Sequence, residues 1–356
     1  MTGGVAPADG GGILNTGSLT VQEVRIAHNT AAGNGGGVAN DGPASPAAPL
    51  VSLTLRQVTI TGNSSSGDGG GIVSSLRSTA RVTASTVSAN SAAAEGGGIA
   101  SEFRAAVTLT ADSVSNNSAG DEGGGIDILV SARATLSGTS VDGNTAVNGG
   151  GGIGVTEGGS LVMTNGEADQ NTVPAGSGGD GGGLSIDGVY RHEQSTATIT
   201  DTSINGNGAD TGGGVELSVA TVTMTNDEVR ANTATTSGGG IASDPLASLT
   251  LRDTTITHNA SAGDGGGISN LGAVDVLTDD SVDANSASGA GGGVVNGTGQ
   301  IGLEHPAGEM TLDPNTSVSR NHAAAGGGID VTAGPVTLNG ATVTGNIPDN
   351  CEPTGC

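Results

Sequence analysis

Residues 90–99 read Asn-Ser-Ala-Ala-Ala-Glu-Gly-Gly-Gly-Ile, and this unit recurs throughout the 356-residue chain. In every copy an asparagine stands nine positions before an aliphatic residue, and three glycines precede that residue. Further copies with the same spacing occupy residues 63–72, 117–126, 144–153, 232–241, 259–268 and 285–294. The aliphatic residues Ile72, Ile99, Ile126 and Ile153 follow one another at intervals of 27 residues. A fixed period of this length indicates a solenoid.

The residues between one glycine triplet and the next asparagine alternate between aliphatic and polar side chains. In residues 249–259, a threonine separates Leu249 from Leu251, and Ile256 belongs to a second short segment. A period of two predicts strands with one buried face, and no segment shows the 3.6-residue period of a helix. Each repeat is therefore predicted to contain three short strands, one after the triplet and two before the asparagine.

The strands and the period together predict an all-β chain that forms a single right-handed parallel β-helix with three sheets. About twelve coils of 26 or 27 residues are expected to fill residues 1–346, and residues 347–356 are expected to form a C-terminal tail with a cysteine pair. The handedness follows from the rule for crossovers between parallel strands. The 68 glycines suit a narrow cylinder, and its single aliphatic layer does not need aromatic residues, which are only 1% of the chain.

One asparagine per repeat falls at the same position in every turn. Stacked amide side chains hydrogen-bond along such a column, and asparagine also tolerates the left-handed backbone of a turn. We therefore expect a structural ladder rather than a binding site. Its members in the regular repeats are Asn63, Asn90, Asn117, Asn144, Asn232, Asn259 and Asn285, and looser repeats add Asn29, Asn171, Asn207, Asn321 and Asn346.

The strong negative charge of the chain limits the kinds of molecule that it is expected to bind. The formal net charge is −25, and the chain has 35 acidic residues but only ten arginines and no lysine. No basic patch with interleaved aromatic residues is present, so nucleic acid is not an expected partner. No apolar run reaches the roughly 18 residues that a spanning helix needs, so no membrane span is predicted.

The two ends of the chain indicate export. Residues 1–13 open inside a repeat without the basic and then apolar pattern of a leader, so we expect a fragment or a mature segment whose leader is absent. The only cysteines, Cys351 and Cys356, lie close together at the other end. Such a pair is typical of a disulfide loop in an exported protein, and two free thiols are the alternative.

The repeat resembles a known family. The order Gly-Gly-Gly-Ile, polar turn, Leu-Thr-Leu-Thr-like strand, Thr-Val-Ser-like strand and Asn-Ser/Thr-Ala is similar to the polymorphic-outer-membrane-protein repeats of chlamydiae. The place of the family's phenylalanine, three residues before the asparagine, is taken here by Val87, Val114, Val141, Ile256 and Val343. Residues 344–356, the ending Thr-Gly-Asn-Ile-Pro-Asp-Asn-Cys-Glu-Pro-Thr-Gly-Cys, are similar to the C-termini of secreted actinobacterial members. The resemblance implies an exported surface protein, adhesin-like in some members, with no shared catalytic motif.

An acidic column is the one candidate metal site. Asp68, Glu95 and Glu122 stand four positions before the aliphatic residue in three successive repeats. Stacked about 4.8 Å apart, three carboxylates repel one another unless a cation bridges them. We therefore hypothesise a weak Ca²⁺ site, against the alternative that the side chains point separately into water. No other cofactor is predicted.

The candidate contact loop interrupts the period between Leu184 and Val215. It contains Tyr190, Arg191, His192 and Glu193, including the only tyrosine of the chain. Irregular loops on a rigid scaffold often carry binding residues, although a solvated loop without a partner is the alternative.

The candidate catalytic residues are the acids that follow the triplets, Asp127, Glu157, Asp187 and Glu216. Their different offsets from the aliphatic residue argue against one column of paired carboxylates of the kind that glycoside hydrolysis uses. No catalytic residue is assigned on this basis. The predicted function is a non-enzymatic, adhesin-like scaffold, extracellular or on the cell surface, with an unidentified surface ligand or glycan. A polysaccharide-binding or polysaccharide-degrading β-helix is the alternative.

Overall fold

The structure is a computed structural model that describes residues 1–43, 45, 49–190 and 192–353. Within those residues the regular secondary structure is β-strand throughout, and paired strands run parallel. The chain divides into two compact units, unit 1 at Met1–Thr172 and unit 2 at Val173–Cys356. The strands stack as a right-handed parallel β-solenoid of about twelve turns, which confirms the predicted fold class.

Each turn of unit 1 contributes one strand to each of three sheets. Sheet 1 holds the strands that follow the glycine triplets: Ile13–Asn15, Val38–Asp41, Ile72–Ser75, Ile99–Ser101, Ile126–Ile128 and Ile153–Val155. Sheet 2 holds the longest strands: Ser18–Gln22, Ser52–Arg56, Thr79–Thr83, Ala106–Thr110, Arg133–Ser137 and Ser160–Thr164. Sheet 3 holds the strands that end before the asparagines: Arg25–Ala27, Thr59–Thr61, Thr86–Ser88, Ser113–Ser115, Ser140–Asp142 and Glu167–Asp169.

Unit 2 repeats the same three-sheet order. Its sheet 1 contains Leu184–Asp187, Val215–Ser218, Ile241–Ser243, Ile268–Leu271, Val294–Gly297, Ile329–Val331 and Cys351–Glu352. Its sheet 2 contains Ser195–Thr200, Ala220–Thr225, Ser248–Arg252, Val274–Thr278, Glu309–Leu312 and Val336–Leu338. Its sheet 3 contains Ser203–Asn205, Glu228–Arg230, Thr255–Thr257, Ser281–Asp283, Ser317–Ser319 and Thr342–Thr344.

Many turns also contain a short strand directly after the asparagine, which the sequence analysis did not predict. Most of these strands have only two residues, which are too few to show a period of two. In unit 1 these strands are Thr30–Ala31, Ser64–Ser65, Ser91–Ala92 and Ser118–Ala119, and Val5–Ala6 takes the same place after Gly4. In unit 2 they are Gly208–Thr211, Thr233–Ser237, Ala260–Ser261 and Ser286–Ala287.

The core of each unit is a set of aliphatic columns in strict register. In unit 1, Ile72 pairs with Val38 on one side and with Ile99 on the other, and all three are fully buried. Sheet 2 alternates, so that Leu53 and Leu55 face inward while the residues between and beside them face out. Burial of one such side chain contributes about 1.5–3 kcal/mol, and each turn buries several.

The glycine triplet is required by the close approach of successive turns. Gly96, the first glycine of its triplet, has φ +64°, a left-handed conformation that side chains disfavour. At Gly97 an added Cβ would lie 2.4 Å from the carbonyl oxygen of Gly124 and 2.4 Å from the carbonyl carbon of Ser118 in the next turn. The second glycine therefore leaves no room for any side chain.

The predicted tail contains one more strand of the solenoid. Cys351–Glu352 pairs in parallel with Ile329 and Asp330, so sheet 1 extends into the segment expected to be a tail. Cys351 is buried and is not a free thiol. Its expected partner Cys356 lies outside the described residues, so the pairing of these two cysteines stays a prediction.

The structure places the asparagine column in a continuous hydrogen-bonded ladder within each unit. In unit 1 the Oδ1 of each asparagine accepts both the backbone N–H and the Nδ2–H of the preceding one, at 2.9–3.0 Å. The second Nδ2 proton goes to a backbone carbonyl of the preceding turn, as from Asn117 to Val87 at 3.0 Å. Both donors and both lone pairs of the amide are thereby used, and neither aspartate nor serine has this combination.

The ladder of unit 2 has the same geometry and begins at Asn207. Its successive bonds measure 2.8–3.1 Å through Asn232, Asn259, Asn285 and Asn321 to Asn346. The carbonyl bond recurs, for example from Asn259 to Val229 at 2.9 Å.

The left-handed backbone lies one residue earlier than the sequence analysis expected. The ladder asparagines are not among the residues with positive φ, whereas the residues before them are, including His28, Ala89 and Ala231 at φ 52–54°. Left-handed backbone is unfavourable for such residues. Because this conformation recurs before every ladder asparagine, we infer that the ladder imposes it. The local preference of the residue that adopts it does not account for it.

We expect Asn117→Ala to lower the free energy of unfolding by roughly 1–3 kcal/mol, because it leaves the buried backbone N–H of Asn90 and the carbonyl of Val87 without partners. Chemical denaturation monitored by circular dichroism measures the change. Asn116→Ala is the matched control, since Asn116 is exposed and Ala89 occupies the same place one turn earlier. Equal midpoints for the two variants would contradict a buried ladder.

Candidate functional site

The outer side of sheet 1 is covered by the turn that carries the glycine triplet. The second residue of each sheet-1 strand between the first and the last points away from the core yet is buried, as Ala39, Val73 and Ala100 are in a small apolar cluster of unit 1. At Gly123 an added Cβ would lie 2.4 Å from the Cβ of Asp127, which shows how closely the turn lies on the strand. Charged side chains at the second position of these strands are therefore held out of water, and those at the fourth position, such as Asp187, are partly covered.

Unit 2 places a carboxylate pair on this covered face. Glu216, second in its strand, is 2% exposed, and it pairs in register with Ser185 of the preceding turn. Asp187 is the last residue of that preceding strand. The Ser185 hydroxyl lies 3.2 Å from Asp187 Oδ2 and 3.2 Å from Glu216 Oε2, so it links the two carboxyl groups. A hydroxyl group has one proton to donate, so both hydrogen bonds form together only when one of the two acids is protonated and donates to the serine oxygen.

Two more acids extend this pair into a cluster, which we call the unit 2 acid cluster: Asp180, Asp187, Glu216 and Asp244. Burial and then repulsion from Asp187 raise the pKa of Asp180 to about 6, and burial raises that of Asp187 to about 6. Burial and the charges of Asp180 and Asp187 raise the pKa of Asp244 to about 7. The pKa of the deeply buried Glu216 lies well above its usual range for the same reasons. The cluster therefore holds protons near neutral pH.

The catalytic candidates of the sequence analysis separate into different places. Asp187 and Glu216 come together, although their offsets from the aliphatic residue differ, because the second and fourth strand positions lie side by side in neighbouring turns. Glu157 is exposed in a turn at φ 49°, and Asp127 lies in unit 1. Asp180 and Asp244 were missed. Asp180 stands four residues before the aliphatic residue of its repeat, and Asp244 stands three residues after it. These offsets predict a shared site only if it is known which face of the strand each position occupies.

The predicted contact loop packs against a second irregular loop of unit 2, residues 298–308. The Tyr190 hydroxyl donates to Glu304 Oε1 at 2.7 Å, and Gly302 lies beside the tyrosine ring. The backbone N–H of His192 donates to the carbonyl of Val189 at 2.9 Å. Arg191 lies outside the described residues. The loop follows Asp187 directly in the chain, so it lies next to the unit 2 acid cluster.

The second loop has one fully solvent-exposed apolar side chain and a close contact with the scaffold. Leu303 is 97% exposed, next to Glu304. An added Cβ at Gly299 would lie 2.5 Å from the ring of Pro245, the residue after Asp244. Loop 298–308 thus passes along the ends of sheet-1 strands on the same side as the acids. The hydrogen bond between Tyr190 and Glu304 joins residues that are 114 positions apart in the chain.

The acidic column of unit 1 is aligned as the sequence predicts, but it does not form a ready-made metal site. The carbonyls of Asp68, Glu95 and Glu122 accept from Gly35, Gly69 and Gly96, so the three acids occupy the same place in successive turns. Asp68 Oδ1 accepts the backbone N–H of Glu95 at 3.1 Å. Burial and then repulsion from Asp68 and Asp121 raise the pKa of Glu95 to about 7. The calcium hypothesis stays a prediction.

Another acidic triad brings its oxygens closer together. Among the described residues, the group whose potential ligand atoms all lie within 4.8 Å of one another is Asp142, Glu167 and Asp169, on the outer face of sheet 3 in unit 1. Ser140 donates a short hydrogen bond to Asp142, and the backbone N–H of Asp169 donates to Asp142 Oδ1 at 3.3 Å. These side chains are partly or fully exposed, as acidic groups without a bound ion commonly are.

One acid points into the core of unit 2. Asp275 stands in register between Leu249 and Met310, is fully buried, and accepts from the Ser243 hydroxyl at 2.8 Å through Oδ1 only. Its second oxygen has no hydrogen-bond partner. Burial raises its pKa to about 7. The same position is apolar in the other turns of unit 2, with Ala197, Val222 and Leu249 before it and Met310 after it.

We expect the stability of the protein to fall as the pH rises from about 5 to about 8. Acids with folded pKa values raised from 3.8 or 4.5 to between 6 and 8, such as Glu95, Glu102, Asp244 and Asp275, make the folded state bind more protons than the unfolded state. Their contribution is complete below the unfolded pKa and is lost as the pH passes the folded pKa. Thermal melting in the presence of a chelator measures this, and a flat or rising melting temperature would contradict it.

The variant Asp275→Asn separates one of these groups from the rest. The neutral amide avoids the buried charge, so we expect this variant to melt at a higher temperature than the parent at about pH 8, with a smaller gain at about pH 5. Exposed Asp279→Asn is the control and should leave the pH dependence unchanged. An equal effect of Asp275→Asn at both pH values would show that Asp275 does not titrate in this range.

Comparison with known proteins shows that one repeat of this chain matches a known repeat family. The Chlamydia polymorphic membrane protein (Chlamydia_PMP) repeat matches residues 57–75, which contain Asn63 of the ladder, one glycine triplet and the sheet-1 strand Ile72–Ser75. No curated protein sequence matches the chain. Among solved structures, the TibC-catalyzed hyper-glycosylated TibA55-350 fragment aligns with 96% of this chain and 98% of that chain, at 15% identity and a TM-score of 0.21.

No helix among the described residues is long and apolar enough to cross a membrane.

The family match covers one repeat, and the same pattern of asparagine, triplet and aliphatic residue continues through both units. The sequence match and the stacked parallel turns together fit a β-helix repeat family of the polymorphic membrane protein type.

Proposed function

We propose that the chain is an extracellular or cell-surface β-helix that acts as an adhesin-like scaffold. The observation that carries the proposal is the polymorphic membrane protein repeat at residues 57–75, set in a fold whose turns repeat that unit. The similarity of the C-terminus to secreted actinobacterial members belongs to the same proposal. The ligand is expected to be a surface molecule or a glycan.

The outer face of sheet 2 supports this proposal through its chemistry. In unit 2, Thr198, Thr223 and Thr250 stand in register on three successive strands, with their side chains directed away from the core. Ladder-paired strands hold these hydroxyl groups about 4.8 Å apart on a rigid surface. Hydroxyl groups both donate and accept hydrogen bonds, so such a face suits a polar ligand such as a glycan.

We expect the purified chain to bind a subset of neutral or acidic glycans, or a cell surface, saturably and without altering the ligand. A glycan array followed by calorimetry identifies the ligand, and chromatography of the recovered glycan tests for cleavage. Thr223→Val should weaken binding at least several-fold if the face of unit 2 is used, because it removes a hydroxyl from the centre of the column. Thr108→Val, in the matching column of unit 1, is the control. The absence of any saturable binding would contradict the adhesin-like function.

A second candidate function, binding and degradation of a polysaccharide, is favoured by the contact between Asp187 and Glu216. A buried acid that a serine hydroxyl links to a partly exposed acid with a raised pKa is an arrangement that supports general acid or base chemistry near neutral pH. Tyr190 and loop 298–308 would form the side of the site. In this function Asp187 would exchange the proton with the glycan, and Glu216 would position and tune it.

Release of reducing ends from polysaccharides distinguishes the two candidates. If the chain is a hydrolase, Asp187→Asn should lower the rate at least a hundredfold while the variant still folds, since an amide does not exchange the proton at this pH. Asp142→Asn, an acid of the sheet-3 triad in unit 1, is the control and should keep full activity. Binding without release of reducing ends, in the parent as well as in Asp187→Asn, supports the scaffold and excludes the hydrolase for the glycans tested.

A further inference from the structure

The arginines of this acidic chain are concentrated on one side of unit 1. Six of the ten arginines but only 14 of the 35 acidic residues belong to residues 1–172. The six sheet-2 strands of unit 1 contain no aspartate or glutamate. Five exposed arginines lie on these strands or directly beside them, and we call them the unit 1 arginine face: Arg56, Arg77, Arg81, Arg104 and Arg133.

Three members of the arginine face point outward from neighbouring strands of sheet 2. Arg81 is the central residue of its strand, and Arg56 ends the preceding strand, in register with Thr83. Arg133 begins the strand that lies two turns after that of Arg81. With about 4.8 Å between strands and about 3.3 Å per residue, the Cα atoms of Arg56 and Arg81 lie roughly 8 Å apart. The long arginine side chains therefore reach the same extended ligand.

The other two members flank these strands at the corner between sheet 1 and sheet 2. The backbone N–H of Arg77 donates to the carbonyl of Phe103, and that of Arg104 donates to the carbonyl of Val130. The two arginines therefore occupy the same place in successive turns. Like charges stacked at the strand spacing repel each other, and a bound anion would offset that repulsion. Glu157, at the same corner two turns beyond Arg104, is the acid at which this basic stretch ends.

The guanidinium groups of the arginine face are directed to the solvent. Among the described residues, none of the five arginines forms an ion pair or donates a side-chain hydrogen bond. In unit 2, by contrast, Arg230 pairs with Glu228, and Arg320 pairs with Asp283. A guanidinium group has five N–H donors in a planar fork that fits the paired oxygens of a carboxylate or a similar oxyanion. The arginine face therefore offers both positive charge and donors to an anionic partner.

Threonine hydroxyl groups stand on both sides of Arg81. Thr54 and Thr108 are in register with it in the preceding and following strands, and all three line a shallow hollow of about 230 Å³. Charged donors for an acidic group thus alternate with hydroxyl groups that both donate to and accept from sugar hydroxyls. The outer positions of these strands carry no aromatic side chain on which successive nucleic-acid bases would stack. This chemistry fits an acidic glycan better than a single-stranded nucleic acid.

We propose that the unit 1 arginine face binds an extended acidic glycan through the carboxylate or sulfate groups of the glycan. The proposal rests on the proposed function, since it names the ligand class of the adhesin-like scaffold and the face that holds it. The net charge of −25 does not prevent such binding, because exposed charges more than about 8 Å apart are largely screened at physiological ionic strength. The local arrangement of the arginines then decides which ligand is attracted.

Calorimetry of the full chain with polygalacturonate and with heparin tests the proposal, and the two polymers distinguish carboxylate from sulfate recognition. Neutral dextran and a DNA oligonucleotide are the comparison ligands. We expect saturable binding of at least one acidic polymer, weaker at higher salt, and no binding of dextran. Arg81→Gln should weaken binding at least fivefold, and Arg81→Lys should weaken it less, since lysine keeps the charge but not the planar fork.

The chain offers a matched control for a second arginine. Strands Ser52–Arg56 and Ser248–Arg252 have the same sequence, Ser-Leu-Thr-Leu-Arg. Arg252 is in register with Thr225 and Thr278, and no arginine stands in the neighbouring strands. Arg56→Gln should therefore weaken binding at least fivefold, whereas Arg252→Gln should not change it. Equal melting temperatures of the parent and of these exposed variants show that lost binding is not lost folding.

Failure of this inference is distinct from failure of the proposed function. Absence of binding to both acidic polymers, preference for the DNA oligonucleotide, or equal effects of Arg56→Gln and Arg252→Gln overturns the arginine face as a glycan site. Binding of neutral glycans that only Thr223→Val weakens does the same, yet leaves the adhesin-like function in place. For an acidic polymer Thr223→Val is instead a control that should keep full affinity. Absence of saturable binding to any glycan or cell surface contradicts both.

Discussion

The hydrogen bonds between successive ladder asparagines impose the constraint on which the rest of the structure depends. One Oδ1 accepts two N–H groups of the preceding asparagine, which is possible only if the turns stack at the spacing of paired strands. That spacing in turn excludes a side chain at the second glycine of each triplet, as Gly97 shows. It also fixes left-handed backbone before each asparagine, even where the residue is alanine, as at Ala89.

The same close stacking explains why the acids of this chain do not behave as surface charges. The glycine turn lies directly on the second residue of each sheet-1 strand, so an acid placed there loses water without gaining a basic partner. Asp127 and Glu216 are the two clearest cases, one in each unit. Where the second residue is alanine or valine, as at Ala39, Val73 and Ala100, the glycine turn covers an apolar cluster instead. The same backbone geometry thus covers either an apolar side chain or a protonated acid, depending on which residue stands at the second position of the strand.

Much of the fold could be predicted from the sequence because each turn repeats the same local rules. The period, the alternation of Leu249 and Leu251, and the asparagine column indicate the sheets, the core and the ladder. The short strand after the asparagine has no such pattern. The left-handed residue was misplaced by one position because asparagine itself has a known tolerance for that backbone, whereas here the ladder imposes it on its neighbour.

The candidate sites were harder to predict because they depend on neighbours in adjacent turns. Asp187 and Glu216 have different offsets in their repeats, and only the register of the strands shows that they are adjacent. Asp275 replaces an aliphatic residue in the core, so the binary pattern hides it. The contact between Tyr190 and Glu304 joins two irregular loops, whose conformation no repeat specifies.

The asparagine ladder also has a direction, because every rung offers donors toward one end and acceptors toward the other. A last rung with open donors would be a template on which a second molecule could continue the stack, as exposed sheet edges do in fibres. In unit 2 the Oδ1 of Asn350 accepts both the backbone N–H and the Nδ2–H of Asn346 at 3.2 Å. A side chain only four residues farther along thereby takes the position of the next rung. Polymerisation through Asn346 would first have to displace that intramolecular acceptor, so this face of the ladder is closed against end-to-end growth.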